Sequence, residues 1–252
     1  MNLEEIEKLL VESLKLKLEP IGVKMLRDSS ELGKIGAKPY PKNLALCQYL
    51  KAAALFGKPF GLTPENCDAC VIGSWILGLR ELPKDLRERW CELAGFTPEV
   101  FDKMISSTHA LPAGSYGASV IAPLRFFSLK NIEPDAVILF VNSAQAYIML
   151  SAYFDSTGSK PASDFNGHAA CEIVAAVMKG RSPWLTIPCG GARALAESQD
   201  DELWLGFRLS DLEKAVARLK KTRFRYAPPI LQMLLIPPQP EFVLTKLIAR
   251  SA

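Results

Sequence analysis

Histidine is nearly missing from this sequence. His109 and His168 are the only two in 252 residues, so a chemistry that gathers several imidazoles is excluded at the outset. A Ser-His-Asp arrangement would have to draw on one of these two, and neither a GxSxG elbow nor an HExxH motif is present. Long apolar runs are missing as well. The strongest, Ala136 to Val141, is far shorter than the roughly 20 residues that cross a bilayer, so no membrane partner is expected. Charge of one sign is not in excess. Thirty basic and 27 acidic side chains leave a net charge of +3, which argues against a dedicated nucleic-acid surface. The densest basic run, Lys220 to Arg225, reads as a solvated helix end. The GxGxxG and Walker spacings are absent too. The first residues, Met-Asn-Leu-Glu-Glu-Ile-Glu, are acidic rather than basic and then apolar, so no secretory leader is expected and the cytoplasm is the expected compartment.

Against these absences, cysteine stands out. There are six, and in a reducing compartment they point to packing, metal binding or redox work before structural disulfides. Four of them fall into what reads as one local frame used twice. Cys47 opens an Ala-rich apolar run that stops at Gly57-Lys58, and a segment with Leu-Thr and Pro leads to Cys67. Cys171 opens a second such run that stops at Gly180-Arg181, and Leu-Thr and Pro lead to Cys189. The spacings are 20 and 18 residues. Repeats organise everything else in a chain, and two halves packed about a twofold axis would bring the thiols together.

The hydrophobic periods predict strands alternating with helices. A helix is expected over 2–18, ended by Pro20. Strands are expected over 21–26, 59–62, 115–124, 136–141, 184–187 and 203–209. Helices are expected over 41–56, 143–154, 167–179 and 211–221, and a helix pair over 83–105 broken at Gly95, with Thr97 as the second N-cap. Residues 29–40 and 156–166 read as loops. Both faces of 136–141 should be covered, Val137, Leu139 and Val141 on one side and Ile138 and Phe140 on the other. The class is therefore α/β or α+β, a mixed sheet with flanking helices. It is read as a single domain over 1–252, built from two related halves near 20–124 and 134–212, with a Pro-rich C-terminal tail over 227–252.

Three constellations could carry chemistry. Pro188-Cys189-Gly190-Gly191-Ala192-Arg193 follows a predicted strand. Its two glycines suggest a positive-φ turn with exposed N–H groups, and Arg193 adds a cation, so Gly190, Gly191 and Arg193 are candidate ligand-binding residues. The alternative is a tight turn with a buried Cys and a surface Arg. His168 and Cys171 would share a helix face, a spacing that suits zinc or iron, although an exposed His and a packed Cys fit the same spacing. Cys67-Asp68-Ala69-Cys70 is a lone CxxC. No cysteine run of the ferredoxin kind is present, so any metal site must draw on distant segments: Cys47, Cys67 or Cys70, Cys171 and Cys189, with Cys67, Cys171 and Cys189 as the core ligands and Cys47 or Cys70 as the fourth. Cys91, beside Trp90, reads as core.

These residues resemble a known family. Pro123-Leu124, Pro134-Asp135-Ala136-Val137-Ile138, Cys189-Gly190-Gly191-Ala192-Arg193 and Asp201-Glu202-Leu203, with the Cys47 helix and the segment Cys67 to Leu79, are similar in their order to the archaeal and bacterial family called domain of unknown function 169. The resemblance spans roughly 15–220. It implies a prokaryotic cytosolic protein, often from anaerobes, and carries no catalytic role or substrate. The family pattern leads one to expect a polar or acidic residue before the Arg; here it is Ala192.

Two readings follow. In the first, the chain is a thiol-based protein that binds zinc or an iron–sulfur cluster, with redox use as an extension. In the second, it binds a small anionic ligand, or is a metal-free enzyme, at the Cys-Gly-Gly-Ala-Arg turn. The expected partners are a metal or a small molecule, and a homo-oligomer is compatible with either reading.

Overall fold

The computed structural model describes residues 1–163 and 167–221. The Pro-rich tail and the end of the basic run lie outside them. Helix α1 (Leu3–Leu14) opens with a capping box: Asn2 Oδ1 accepts the Glu5 N–H at 2.8 Å, and the Glu5 carboxylate accepts the Asn2 N–H at 3.3 Å. Lys15, in the left-handed region, ends it before Pro20 is reached. Strand β1 is Ile21–Leu26. A short helix, α2 (Glu31–Ile35), lies where a loop was expected. Helix α3 (Leu46–Phe56) begins five residues later than Pro41. The Gln48 side chain accepts the Ala45 N–H at 2.9 Å and sets the start there, and Gly57 ends it.

Strand β2 (Phe60–Leu62), helix α4 (Val71–Ile76), and helices α5 (Leu86–Ala94) and α6 (Pro98–Ser107) follow. Gly95 and Thr97 separate the last two as the sequence requires. Then come β3 (Ala118–Pro123), α7 (Leu124–Lys130), β4 (Ala136–Val141) and α8 (Ser143–Thr157), the last with a second capping box between Asn142 and Gln145. The described chain closes with α9 (Glu172–Met178), β5 (Trp184–Thr186), α10 (Gly190–Ala196), β6 (Leu203–Phe207) and α11 (Leu209–Lys221).

The six strands form one sheet in the order β2-β3-β1-β4-β6-β5. Among the described residues every ladder is antiparallel, and parallel contact occurs only at the single bridges Pro39–Gly61 and Ala162–Trp184. The fold is α+β with helices on both faces, and its sheet is antiparallel rather than mixed. The strand order reads the same from either end. β1 and β4 pair at the centre, β3 and β6 flank them, and the short β2 and β5 form the edges.

Two cores result. One holds Val137, Leu139 and Val141 against α1, α7, α8 and α11. The other holds Ala136, Ile138 and Phe140 with α3, α4 and α9. Both faces of β4 are thus covered, which is why it reads as a continuous apolar run. Each such large side chain contributes about 1.5–3 kcal/mol through burial. Gly206 lets α9 lie close on β6: a Cβ there would stand 2.7 Å from Ile173 Cγ1 and 2.8 Å from Val177 Cγ2.

Candidate functional site

The second core carries the thiols. Cys47 is the second residue of α3, and Cys70, Cys171 and Cys189 are the N-caps of α4, α9 and α10. Four cysteines therefore stand at the starts of four different helices. The layout follows the order of the sheet. Cys47 and Cys171 open the helix that precedes the edge strand, β2 or β5, and Cys70 and Cys189 open the helix that follows it. Spacing alone had matched Cys189 with Cys67. The place of Cys189 at a helix start is held in the first half by Cys70.

Several contacts draw these helices together. In α4, a Cβ on Gly73 would stand 2.7 Å from Leu46 Cβ, so the glycine permits α4 to approach the start of α3. Asn66 fixes the turn between β2 and the CxxC. Its Oδ1 accepts the Thr63 N–H at 2.8 Å, and its amide donates to Tyr40 O at 2.9 Å and Gly61 O at 3.1 Å. Its own carbonyl accepts from the Tyr49 hydroxyl at 3.0 Å. Asp68 pairs with Arg80 and its N–H reaches Asn43 Oδ1 at 2.7 Å, which anchors the residues just before Cys70.

The sulfurs feel one another. The Cys171 thiol hydrogen-bonds to Cys47, and that bond, with burial, holds Cys171 protonated well above the ordinary thiol range. The same bond, aided by the N–H groups of Gln48 and Cys47 itself, lowers the Cys47 pKa. Cys189 and Cys70 lie within electrostatic reach of Cys171. Cys70 is pushed up, first by burial and then by Cys47 and Cys189. Cys47 Sγ also sits 3.9 Å from the Gly191 carbonyl oxygen, and a Cβ on Gly191 would lie 3.8 Å from Cys189 Sγ, so both sulfurs flank that residue. Cys67 is wholly buried behind the group; burial raises its pKa first, then the neighbouring Cys70 and Cys47. Cys70 and Cys189 are half-buried, so the group has an outer edge. Among the described residues no set of three or more His, Cys, Asp or Glu side chains is arranged to hold a single metal ion.

The other sequence candidates fare differently. Gly190 and Gly191 do not make a positive-φ turn; they are the first residues of α10. Arg193 turns away toward the next loop, with Nη1 3.3 Å from Asp200 Oδ1 and 3.4 Å from Gln199 O. His168 precedes α9 and sets its ring edge-on to Phe96, with centroids 4.9 Å apart. Cys91 is half-buried against the second core.

A large cavity of about 1030 Å³ runs along one face of α3 and reaches the end of α10, lined among others by Tyr40, Gln48, Lys51, Phe60, Phe140 and Glu202. Gly190, Gly191 and Arg193 do not line it. Sequence reasoning missed it. Among the described residues a part-buried ion pair of its wall joins residues 151 apart: Lys51 Nζ lies 2.5 Å from Glu202 Oε2 and 4.9 Å from the Phe140 ring centroid. Glu202 Oε1 also accepts the Trp204 indole N–H at 2.8 Å. The only advance signal was Asp201-Glu202 standing just before a strand.

The family model of domain of unknown function 169, described as uncharacterised ArCR, matches residues 9–218. The chain belongs to that family. A curated protein of Methanocaldococcus jannaschii, named there as uncharacterized, is 23% identical over 228 residues, 87% of this chain and 96% of the relative. No solved structure matches the chain. The matched span of this family member takes in all five clustered cysteines and the described cavity lining. Among the described residues no helix is long and apolar enough to cross a membrane.

Proposed function

We propose that this protein holds an iron–sulfur cluster through the thiolates of Cys47, Cys70, Cys171 and Cys189, with Cys67 packed behind them, and that it works in the reducing cytoplasm. The observation that carries the reading is the placement of four cysteines, two on each side of the β1–β4 centre, at four helix starts within reach of one another. Thiolates are soft ligands suited to iron–sulfur clusters and to zinc. A single tetrahedral ion with metal–sulfur bonds of about 2.3 Å needs its sulfurs roughly 3.5–4 Å apart. An iron–sulfur cluster spreads four thiolates over two or four irons and so spans a wider ring of ligands. A cluster also suits one-electron transfer, which gives redox work a physical basis.

The test is anaerobic purification of the full chain, followed by iron and acid-labile sulfide analysis and a visible absorption spectrum. Iron and sulfide in equal amounts with a broad visible band are expected, and both should be lost in Cys189→Ser and Cys171→Ser. A Cys91→Ser control should keep them. Colourless protein that takes up no iron on anaerobic incubation with ferrous iron and sulfide would overturn the proposal.

A further inference from the structure

The cavity along α3 is lined by no cysteine, and its walls describe a ligand. One stripe of α3, Gln48, Lys51, Ala52 and Leu55, faces it at helical spacing. Tyr40 and Phe60 stand edge-to-face across from that stripe, with ring centroids 5.3 Å apart, and Phe140 adds a third ring. Lys51 is already neutralised by Glu202. Lys17, Lys38 and Lys58 also line the space; all three are exposed, and none is in an ion pair among the described residues. Lys38 and Lys58 each precede one of these rings by two residues, and the Gly61 N–H donates to the Lys38 carbonyl at 3.1 Å, which holds residues 38–40 beside β2. Glu197 and Asp201 come from another segment of the lining. The volume is at the upper end of what small-molecule sites enclose, about 300–1,000 Å³.

We infer that this cavity binds a planar aromatic anion, its ring against Tyr40, Phe60 and Phe140 and its acidic group toward Lys38 and Lys58. Aromatic walls favour a flat apolar body through stacked and edge contacts. Unpaired lysines at a partly enclosed mouth favour a negative group there. The inference does not rest on the iron–sulfur reading, because no cysteine lines the cavity.

The experiment compares two fluorescent probes on the full chain: anilinonaphthalene sulfonate, and phenylnaphthylamine, which lacks the sulfonate. The sulfonate should bind about tenfold more tightly, the size of two screened charge interactions. That preference should weaken with added salt and vanish in the Lys38→Ala/Lys58→Ala variant. Ala52→Trp, which places an indole in the cavity, should abolish binding of both probes, with circular dichroism confirming the fold. The lysine variant alters only exposed side chains and decides the matter even where the tryptophan variant fails to fold. Absence of sulfonate binding, equal affinity for both probes, or unchanged binding to a folded Ala52→Trp protein would each overturn the inference.

Discussion

Replacing Lys51 by methionine isolates the part-buried ion pair of the cavity wall. Lys51 and Glu202 have side chains only 14% and 8% exposed, and their charged atoms are 2.5 Å apart. Methionine keeps most of the stem that packs on α3 and over Phe140 but removes the ammonium. Glu202 is then left as a buried carboxylate with a single neutral donor, the Trp204 indole N–H. Breaking a buried pair in this way costs about 3–5 kcal/mol. The partial exposure of Lys51 and the retained indole bond lower the expected loss to about 2–3 kcal/mol. The lost contact with the Phe140 ring is a further ~0.5–1 kcal/mol.

Adding Glu202→Gln should restore most of this, because glutamine accepts the indole bond and carries no charge. The two changes should therefore be strongly non-additive in urea unfolding at neutral pH. A variant within about 0.5 kcal/mol of the parent, the size of an ordinary surface change, or a glutamine that fails to rescue, would refute the reasoning.

Two further outcomes follow from the cores. Burial raises the Cys67 pKa above its ordinary 9.0, so the unfolded chain loses that proton first as pH rises. Stability should be complete below pH 9 and fall above it by about 1.4 kcal/mol per pH unit from this thiol, until the folded pKa is reached. Cys67→Ala should flatten that alkaline slope in urea titrations, whereas Cys47, with its lowered pKa, contributes in the opposite sense. Gly206→Ala would push a methyl to 2.7 Å from Ile173 Cγ1; a loss of about 1–3 kcal/mol is expected from overpacking, read as a lower urea midpoint.

The thiol group and the cavity share their framework. α3 begins at Cys47 and lines the cavity along one face from Gln48 to Leu55, and α10 runs from Cys189 to Leu195 at the cavity. A change at one site therefore has a short, packed route to the other. The spectrum of the reconstituted protein with and without the sulfonate probe would read that coupling directly.

What the sequence determined by itself was whatever a local period or a cap could encode. β4 over 136–141 was legible because a strand covered on both faces must be apolar at every position, and β1 over 21–26 because its run is broken only by Lys24, which reaches Asp135. The boundary at Gly95 and Thr97 and the cap at Asn142 were legible because their partners lie within a few residues. The cysteines that converge were legible as residue types in order along the chain. Tertiary structure alone decided the rest. α4, α7 and α10 span six or seven residues, too few to display a helical period or to hold together without packing, so Gly190-Gly191 read as a turn and became a helix start. The antiparallel order of the sheet depends on strand pairings far apart in sequence. Only that order gives Cys70, rather than Cys67, the place that corresponds to Cys189. Lys51 and Glu202, 151 residues apart, carry no local mark of each other; their partnership exists because α3 and the start of β6 are laid against the same end of β4.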